Sequence, residues 1–489
     1  MTTPGRDGEI VVGRLLARPG RRPMGGPARV TWRDGVVTAV EPIEDAPPDA
    51  RGILALPPIA NAHEHGRGAR YSCHGGLHAP LEGWLPSIYL NPPVDPWLNA
   101  AVAFARHAAS GIGASIHCHL VHEPQRYREE AEAAAAAAEA VGLRIALVLP
   151  MRDRNLLAYG PDDALLSLLP EADRRAVAEA WARPPLAAAD QVARVEALGA
   201  ALDGPLVAVQ HGPIAPQWCS DALLEAVARS SAETGRRVHM HLLETRYQRE
   251  WADATYRGDL LGRLDAIGLL SPRLTVAHGV WLRGDEIALL AERDVTVSLN
   301  TSSNLRLRSG RAPGPAMAAA GVTLGLGVDS LGLDDDGDAL RELRLARHVQ
   351  AGIGFEPGLD RDALLVAAFA TGALAVTGRD AGVIAPGAPA DILMIDYAAM
   401  AGDVIEGLND PVDVFLARAT ARHVRGLIVD GRPVVADGAV RTVCLPDLEA
   451  RLEEQIRAAG PTMRARRPVL ERYQAALARF YEEGRHVGE

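Results

Sequence analysis

The chain has 489 residues, 48% of them hydrophobic, which is ample for one large core and a smaller satellite. Its formal charge of −11 is spread along the chain, and the basic runs near Arg21 and Arg466 are short, which argues against a nucleic-acid partner. Every basic Lys+Arg position is arginine, which excludes Schiff-base, Walker-type and metal-bridging carbamylated lysines, because arginine cannot give up its proton.

Residues 8–56 read as short strands between Gly- and Pro-rich turns, with EIVVGRLLA and ARVTWRDGVVTAVEP as the clearest. Strand-like runs then alternate with helical segments, as in a parallel α/β fold. The strands are expected at 53–65, 114–121, 143–151, 205–212, 237–244, 273–280, 295–302 and 322–329. Eight such repeats predict a (β/α)₈ TIM barrel. Ser220 and Asp221 are candidate caps for the helix that begins ALLEAV. The 160–200 stretch is helical and too long for a simple connection, so an insertion near the barrel mouth is expected. Residues 383–444 return to short strands (ADILMIDY, then HVRGLIVDGRPVVADG), and neither chain end has enough apolar strand to stand alone. The expected organisation is therefore a β-sandwich half at 1–56, the barrel at 57–382, the second sandwich half at 383–445 and C-terminal helices at 446–489. The last segment, with LEARLEEQIRAAG and VLERYQAALARFYEEG, is amphipathic and predicts packing on the outside or in a homodimer or higher homo-oligomer.

No apolar run is long enough to span a bilayer, and MTTPGRDGEI lacks a signal-type hydrophobic segment, so no membrane partner is expected. Cys73, Cys118, Cys219 and Cys444 are widely spaced without a CxxC pattern, which fits a reduced cytoplasm.

Chemistry-bearing residues fall at the C-terminal ends of the predicted strands, where TIM barrels place their sites. His63-Glu64-His65 ends strand one, and period-two geometry puts the two imidazoles on one face. Strand five ends in His239-Met240-His241 with Glu244 three residues on, which offers a ligand and an adjacent acid or base. Strand six ends at His278 and strand eight at Asp329. His63, His65, His241 and Asp329 converge from strands one, five and eight and suit one divalent metal, Zn²⁺ before Fe²⁺. Strand two ends in His117-Cys118-His119, whose imidazoles share a face, so a second metal, a substrate contact from His119 and a structural imidazole all stay open. Gln210, Gln217 and Trp218 offer amide edges and a stacking surface for a planar heterocycle, and Trp84 lies in the first loop.

The motifs NAHEH (61–65), HMHLLET (239–245), VAHGV (276–280), LNTSSNLRLRSGRAPGPAMAAAGVTLGLGVD (299–329) and ATGALAVTGRDAGVIAPGAPADILMIDY (370–397) resemble the amidohydrolase superfamily. The similarity is to its cytosine, guanine and S-adenosylhomocysteine deaminase and triazine hydrolase branch, and it extends from about residue 9 to 445. The resemblance implies that His63, His65, His241 and Asp329 bind the metal. It implies that Glu244 shuttles the proton, that His278 polarises the attacked centre, and that Asp329 also takes the water's second proton. It places Trp84 in a lid. Without lysine, no carbamate can bridge two metals, which is consistent with one.

The sequence departs from these relatives after strand four, where Ile214 stands in place of a purine-gripping His or Arg. The expected activity is therefore deamination of a small nitrogen heterocycle at a ring amidine or guanidine carbon, with guanine and adenosylhomocysteine disfavoured. Hydrolytic opening of a cyclic amide and a non-catalytic amidohydrolase-like scaffold are the alternatives.

Overall fold

The structure is a computed structural model and describes residues 5–76, 79–329, 337–379 and 381–488. Strands β1 (Gly8–Val12), β2 (Arg14–Leu15), β3 (Ala28–Arg33), β4 (Val36–Pro42) and β5 (Ile53–Leu56) occupy the amino-terminal segment. In β3 the alternation is clean: Ala28, Val30 and Trp32 are buried while Arg29 and Arg33 are exposed.

The single strand expected over 53–65 is instead two. Pro57 and Pro58 separate β5 from β6 (Ile59–Asn61), because proline has no N–H for a ladder. The two pieces belong to different sheets. Strand β6 opens a run that continues through β7 (Ile112–Cys118), β8 (Arg144–Met151), β9 (Val207–Pro213), β10 (Val238–Leu242), β11 (Leu274–His278), β12 (Thr296–Leu299) and β13 (Thr323–Leu326). All pair in parallel with their sequence neighbours. Leu326 against Asn61 and Val238 against His211 complete a closed eight-stranded barrel.

Strands β14 (Ile392–Asp396), β15 (Val424–Val429), β16 (Arg432–Ala436) and β17 (Ala439–Val440) follow. They join β5 and β2 in one six-stranded sheet ordered β17-β16-β15-β14-β5-β2. The opposing sheet is β1-β3-β4, and Val30, Trp32, Ile392 and Ile428 meet in the core between them. The two chain ends thus build one β-sandwich, as their strand content requires.

Helices surround the barrel. Ser220 caps the helix Asp221–Thr234, its hydroxyl accepting from Leu223 N at 3.1 Å, a cap of about 1 kcal/mol. The insertion folds as helices Asp162–Leu166, Glu171–Trp181 and Ala188–Leu202.

The carboxyl-terminal segment is one 38-residue helix, Leu445–Glu482, not a pair. Pro461 and Pro468 lie on its exposed side, where the backbone groups that they free stay accessible to water. Its position also differs from simple outer packing. Glu449 pairs with Arg106 at 2.7 Å, Arg472 with Asp173 of the insertion at 2.6 Å, and Gln474 donates to Gly83 O at 2.7 Å. Tyr473, Leu477, Phe480 and Tyr481 are buried in the main core. Among the described residues, no helix is long and apolar enough to cross a membrane.

Candidate active site

The C-terminal ends of β6, β10, β11 and β13 gather the four groups expected to hold a metal, together with Glu244 and His278. Beyond β6 the chain stays paired with the segment after β13. Asp329 N donates to His63 O at 2.8 Å and His65 N donates to Asp329 O at 2.7 Å. This ladder brings His63, His65 and Asp329 together, and Asp329 Oδ1 lies 3.4 Å from Nε2 of each histidine. His241 Nε2 is 3.4 Å from His65 Nε2. His63, His65 and His241 offer nitrogens within 4.8 Å of one another, and so do His63, His278 and Asp329 with their nitrogen and oxygen atoms.

Backbone strain marks the same place. Asp329 has φ 58°, His278 φ 76° and Leu243, beside Glu244, φ 48°. L-residues seldom adopt this left-handed region, and it concentrates at functional sites. Gly327 is required by packing, since a Cβ there would lie 2.3 Å from Asn300 Oδ1.

The residues fit a divalent cation. His63 Nε2 is buried and has no hydrogen-bond partner. The far nitrogens of two candidate ligands are engaged: His241 Nδ1 donates to Ile214 O at 2.8 Å, and His63 Nδ1 is 2.8 Å from His239 Nε2. Such outer bonds fix the tautomer that leaves Nε2 free for a metal. Burial pushes His63 down to about 4 and, with the neighbouring imidazoles, holds His241 well below the usual histidine range. Burial favours the neutral form of Asp329, but the His63 imidazole, 3.4 Å from Oδ1, and the charge of His65 outweigh it and hold the carboxyl well below its ordinary value. Neutral imidazoles and an ionised carboxylate are the protonation states that a metal ligand needs.

Glu244 and His278 face one another, Oε2 to Nε2, at 3.5 Å. His278 Nδ1 lies 2.8 Å from Asn304 Oδ1, so its N–H points there and Nε2 stays open to accept a proton. Burial raises Glu244 to about 7, with the charges of Asp329 and Glu82 adding to the shift. Ser309 Oγ donates to its Oε1 at 3.2 Å, and Gln248 Oε1 accepts from its backbone N–H at 2.8 Å.

These groups open onto a chamber of about 890 Å³, large enough for a drug-sized heterocycle. His65, His241, Glu244, His278 and Asp329 line it. Trp84, His119 and Trp218 line it as well. Trp84 donates to Gly76 O and stands edge-on to Tyr71, and Trp218 stands edge-on to Tyr159.

Gln210 and Gln217 are not on the chamber wall. Gln210 donates from Nε2 to Ala375 O at 2.9 Å, in the helix Gly372–Thr377 that packs on the barrel strands. Gln217 is buried, with its carbonyl accepting from Asn155. Their positions follow from burial against neighbouring elements, which residue type alone does not reveal. His117 is engaged on both sides, by Glu64 at 3.0 Å and by His119 at 3.4 Å.

Three contributors escaped the sequence reading. Ser303 donates its hydroxyl to Asp329 Oδ2, Asn300 lies against His278, and Glu82 enters the chamber while accepting from Thr245. Ser303 and Asn300 stand in the quoted LNTSSN motif, but only the fold shows what they touch.

A closed eight-stranded parallel barrel with three imidazoles and a carboxylate gathered at one mouth defines a barrel protein built for a metal. The chain belongs to the amidohydrolase family, which it matches over residues 54–434. It is 33% identical over 239 residues to the 5'-deoxyadenosine deaminase of Methanothermobacter thermautotrophicus, covering 48% of this chain and 55% of that protein. The 5-methylthioadenosine/S-adenosylhomocysteine deaminase of Thermococcus onnurineus is 33% identical over 237 residues, with the same coverage of 48% and 55%. The chain thus spans about half the length of the curated relatives it matches. Among solved structures, an adenosine deaminase from Xanthomonas campestris with bound zinc shares the fold at TM-score 0.75 and 24% identity, covering 92% of this chain and 98% of that one.

Proposed function

We propose that the protein is a metal-dependent aminohydrolase that deaminates a small nitrogen heterocycle at an amidine or guanidine carbon. The observation that carries this reading is Glu244 and His278 facing each other at 3.5 Å on the chamber wall, beside His65, His241 and Asp329, with His63 buried behind them. His63, His65, His241 and Asp329 would hold the cation. Bound there, a divalent metal lowers the pKa of water towards about 7 and so supplies a nucleophile at neutral pH. Zinc is the proposed metal, because three imidazoles and one carboxylate form its usual donor set.

The chain's own groups handle the protons. Glu244, poised near neutrality by burial, takes a proton at Oε2 and delivers it to the departing nitrogen, which cannot leave as an anion. His278 accepts a proton or hydrogen bond at Nε2, held in orientation by Asn304. Asp329 stays ionised and can accept the remaining proton at a carboxylate oxygen. Trp84 and Trp218 shield the ring from water.

The relatives' names point to adenosine-type heterocycles. Ile214, on the chamber wall, presents an apolar side chain to the ring and leaves only its carbonyl, already used by His241, as a polar group. Assaying zinc-loaded protein for ammonia across adenosines, pterins, pyrimidines and triazines tests the reading. Ammonia release with a product about one mass unit heavier is expected. A product heavier by one water, without ammonia, would establish cyclic amide opening instead. Cytoplasmic residence is proposed from four cysteines that form no disulfide. A homo-oligomer is proposed from exposed Ile353, Phe355, Ile405 and Leu408, and light scattering measures it directly.

A further inference from the structure

We propose that the outer end of the chamber is an oxyanion subsite formed by Arg152, Arg183 and Arg194, and that the substrate carries a phosphate monoester on a spacer from its ring. The proposal rests on the deaminase reading for the word substrate, but the subsite stands on its own contacts.

The three arginines reach the chamber from different elements. Arg152 follows the last residue of β8 (Arg144–Met151), Arg183 lies just beyond the insertion helix Glu171–Trp181, and Arg194 is on the insertion helix Ala188–Leu202. All three line the chamber. A closed circuit of contacts holds them together. The Gln191 amide accepts from Arg152 N at 3.1 Å and donates to Arg152 O at 3.2 Å. Gln191 precedes Arg194 by one helical turn, so the two share a helix face. Arg194 stacks on Tyr127, with Cζ 3.6 Å from the ring centroid. Gln125, close by in sequence, accepts from Arg183 Nη1 at 3.4 Å. Arg152 Nη2 donates to Trp181 O at 3.3 Å, beside Arg183, and this completes the circuit. Its four other members line the chamber as well.

The circuit is positive and has no counter-charge. Among the described residues, none of the three arginines forms an ion pair with a carboxylate. Arg152 donates to the carbonyls of Leu156 and Trp181, both at 3.3 Å. Arg183 donates to the Glu179 carbonyl at 3.2 Å and to Gln125, and Arg194 rests on the Tyr127 ring and hydroxyl. Arg194 Nε is buried without a partner. Asp162, whose charge reaches Arg152, is committed to the backbone N–H groups of Leu156 and Leu157 at 3.2 and 2.9 Å. Elsewhere this acidic chain pairs its arginines freely: Arg236, Arg249 and Arg361 each meet two or more carboxylates. Arginine keeps its charge at any physiological pH, so three such guanidiniums in one circuit make a standing site for an anion.

The position and the charge together select the ligand. Arg183 and Gln125 are exposed and Arg152 and Arg194 half-buried, so the circuit is open to solvent and to the chamber. The carboxylates that line the chamber, Glu82, Glu244 and Asp329, are buried at the reaction site. A ring with an anionic substituent therefore has one favourable direction of entry, with its anion outermost. Three guanidiniums exceed what one carboxylate neutralises, whereas a phosphate monoester brings nearly two charges and three acceptor oxygens to several forks. A chamber of about 890 Å³ has room for the ring, a spacer and the phosphate.

Thermal melting of zinc-loaded protein with phenyl phosphate, benzoate or chloride at matched ionic strength tests the subsite. A saturable rise with phenyl phosphate is expected, with a midpoint about tenfold below that of benzoate and no saturable effect of chloride. Zinc-free protein should keep the rise, which separates the arginines from the metal as its source. In Arg194→Gln the midpoint should increase about tenfold, as for a lost charge-assisted fork. In the exposed Arg183→Gln it should increase about threefold with the unliganded melting temperature unchanged, which keeps the test open if the other variant fails to fold. An effect no larger than that of chloride, a rise lost with the zinc, or midpoints unmoved in both variants would overturn the proposal. Benzoate binding as tightly as phenyl phosphate would overturn the phosphate assignment. The catalytic arm compares ammonia release from adenosine, guanosine and cytidine with that from their 5'-monophosphates. A preference of about tenfold in kcat/KM for a monophosphate is expected, and it should be lost in Arg194→Gln. Ammonia released equally well from the unphosphorylated nucleoside sinks the phosphate claim and leaves the deaminase reading standing. Phenyl phosphate binding without ammonia from any heterocycle supports the subsite while sinking the deaminase reading.

Discussion

At the scale of single residues, proton handling and metal holding can be separated by experiment. Glu244→Gln keeps size and hydrogen bonding but cannot take a proton, so kcat should fall by about 10²–10⁴ with zinc content unchanged. The pH profile gives the sign. Burial raises Glu244 to about 7, and a bound cation, by attraction, draws it lower. If ionised Glu244 is the base, kcat/KM declines as pH falls through its pKa, and that acid limb disappears in Glu244→Gln. Ser303→Ala acts differently. It removes the hydroxyl that Asp329 Oδ2 accepts from, so zinc affinity measured by chelator competition should weaken about 10–100-fold. The clustering was legible because His63, His65, His241 and Asp329 all fall at or just beyond strand ends, and a parallel barrel turns those ends to one mouth. Ser303, Asn300 and Glu82 were not legible, because what each touches is set by packing between elements far apart in sequence, which spacing does not reveal.

At the scale of elements, strand and helix periods carried most of the fold, and the misses have definite causes. The barrel strands are short apolar runs bounded by turns and were found. The 53–65 run was read as one strand because its apolar pattern continues through Pro57 and Pro58, although those residues end one ladder and let the next begin in another sheet. The terminal helix shows the opposite error: Pro461 and Pro468 look like breaks, yet both fall on its exposed side and the helix continues. Its last turns close the chamber. Tyr473, Leu477 and Tyr481 line the wall, while Phe480 is wholly buried behind them with its ring 5.3 Å from that of Tyr481. Phe480→Ala should therefore cost about 3–5 kcal/mol in urea unfolding, the range for an emptied aromatic core position. A helix resting loosely on the outside would give a much smaller loss.

At the scale of the whole molecule, a barrel that turns so many histidines inward must be sensitive to acid. Burial lowers His63, His74 and His211 to about 4 and His117 and His119 to about 3. In the unfolded chain each would titrate near 6.5. Below that pH the unfolded state binds protons that the native state refuses, so stability falls as pH falls. Glu64 and Glu244 work in the opposite sense. Burial raises both to about 7, so between 7 and about 4.5 the native state holds protons that the unfolded chain releases. Lowered histidines outnumber raised carboxyls, because burial also holds His122, His239 and His241 well below the usual range, so unfolding near pH 5 takes up protons on balance. Linkage makes each net proton worth about 1.4 kcal/mol per pH unit, which denatured-state structure reduces. Metal-free protein should accordingly show a steep drop in urea midpoint between pH 6.5 and 5. Zinc should shift that drop to lower pH, because it binds neutral imidazoles and must be displaced before His63 can protonate. A midpoint that stays flat across this range would show that the buried histidines are protonated in the native state. The neutral-imidazole site on which the metal assignment depends would then be wrong.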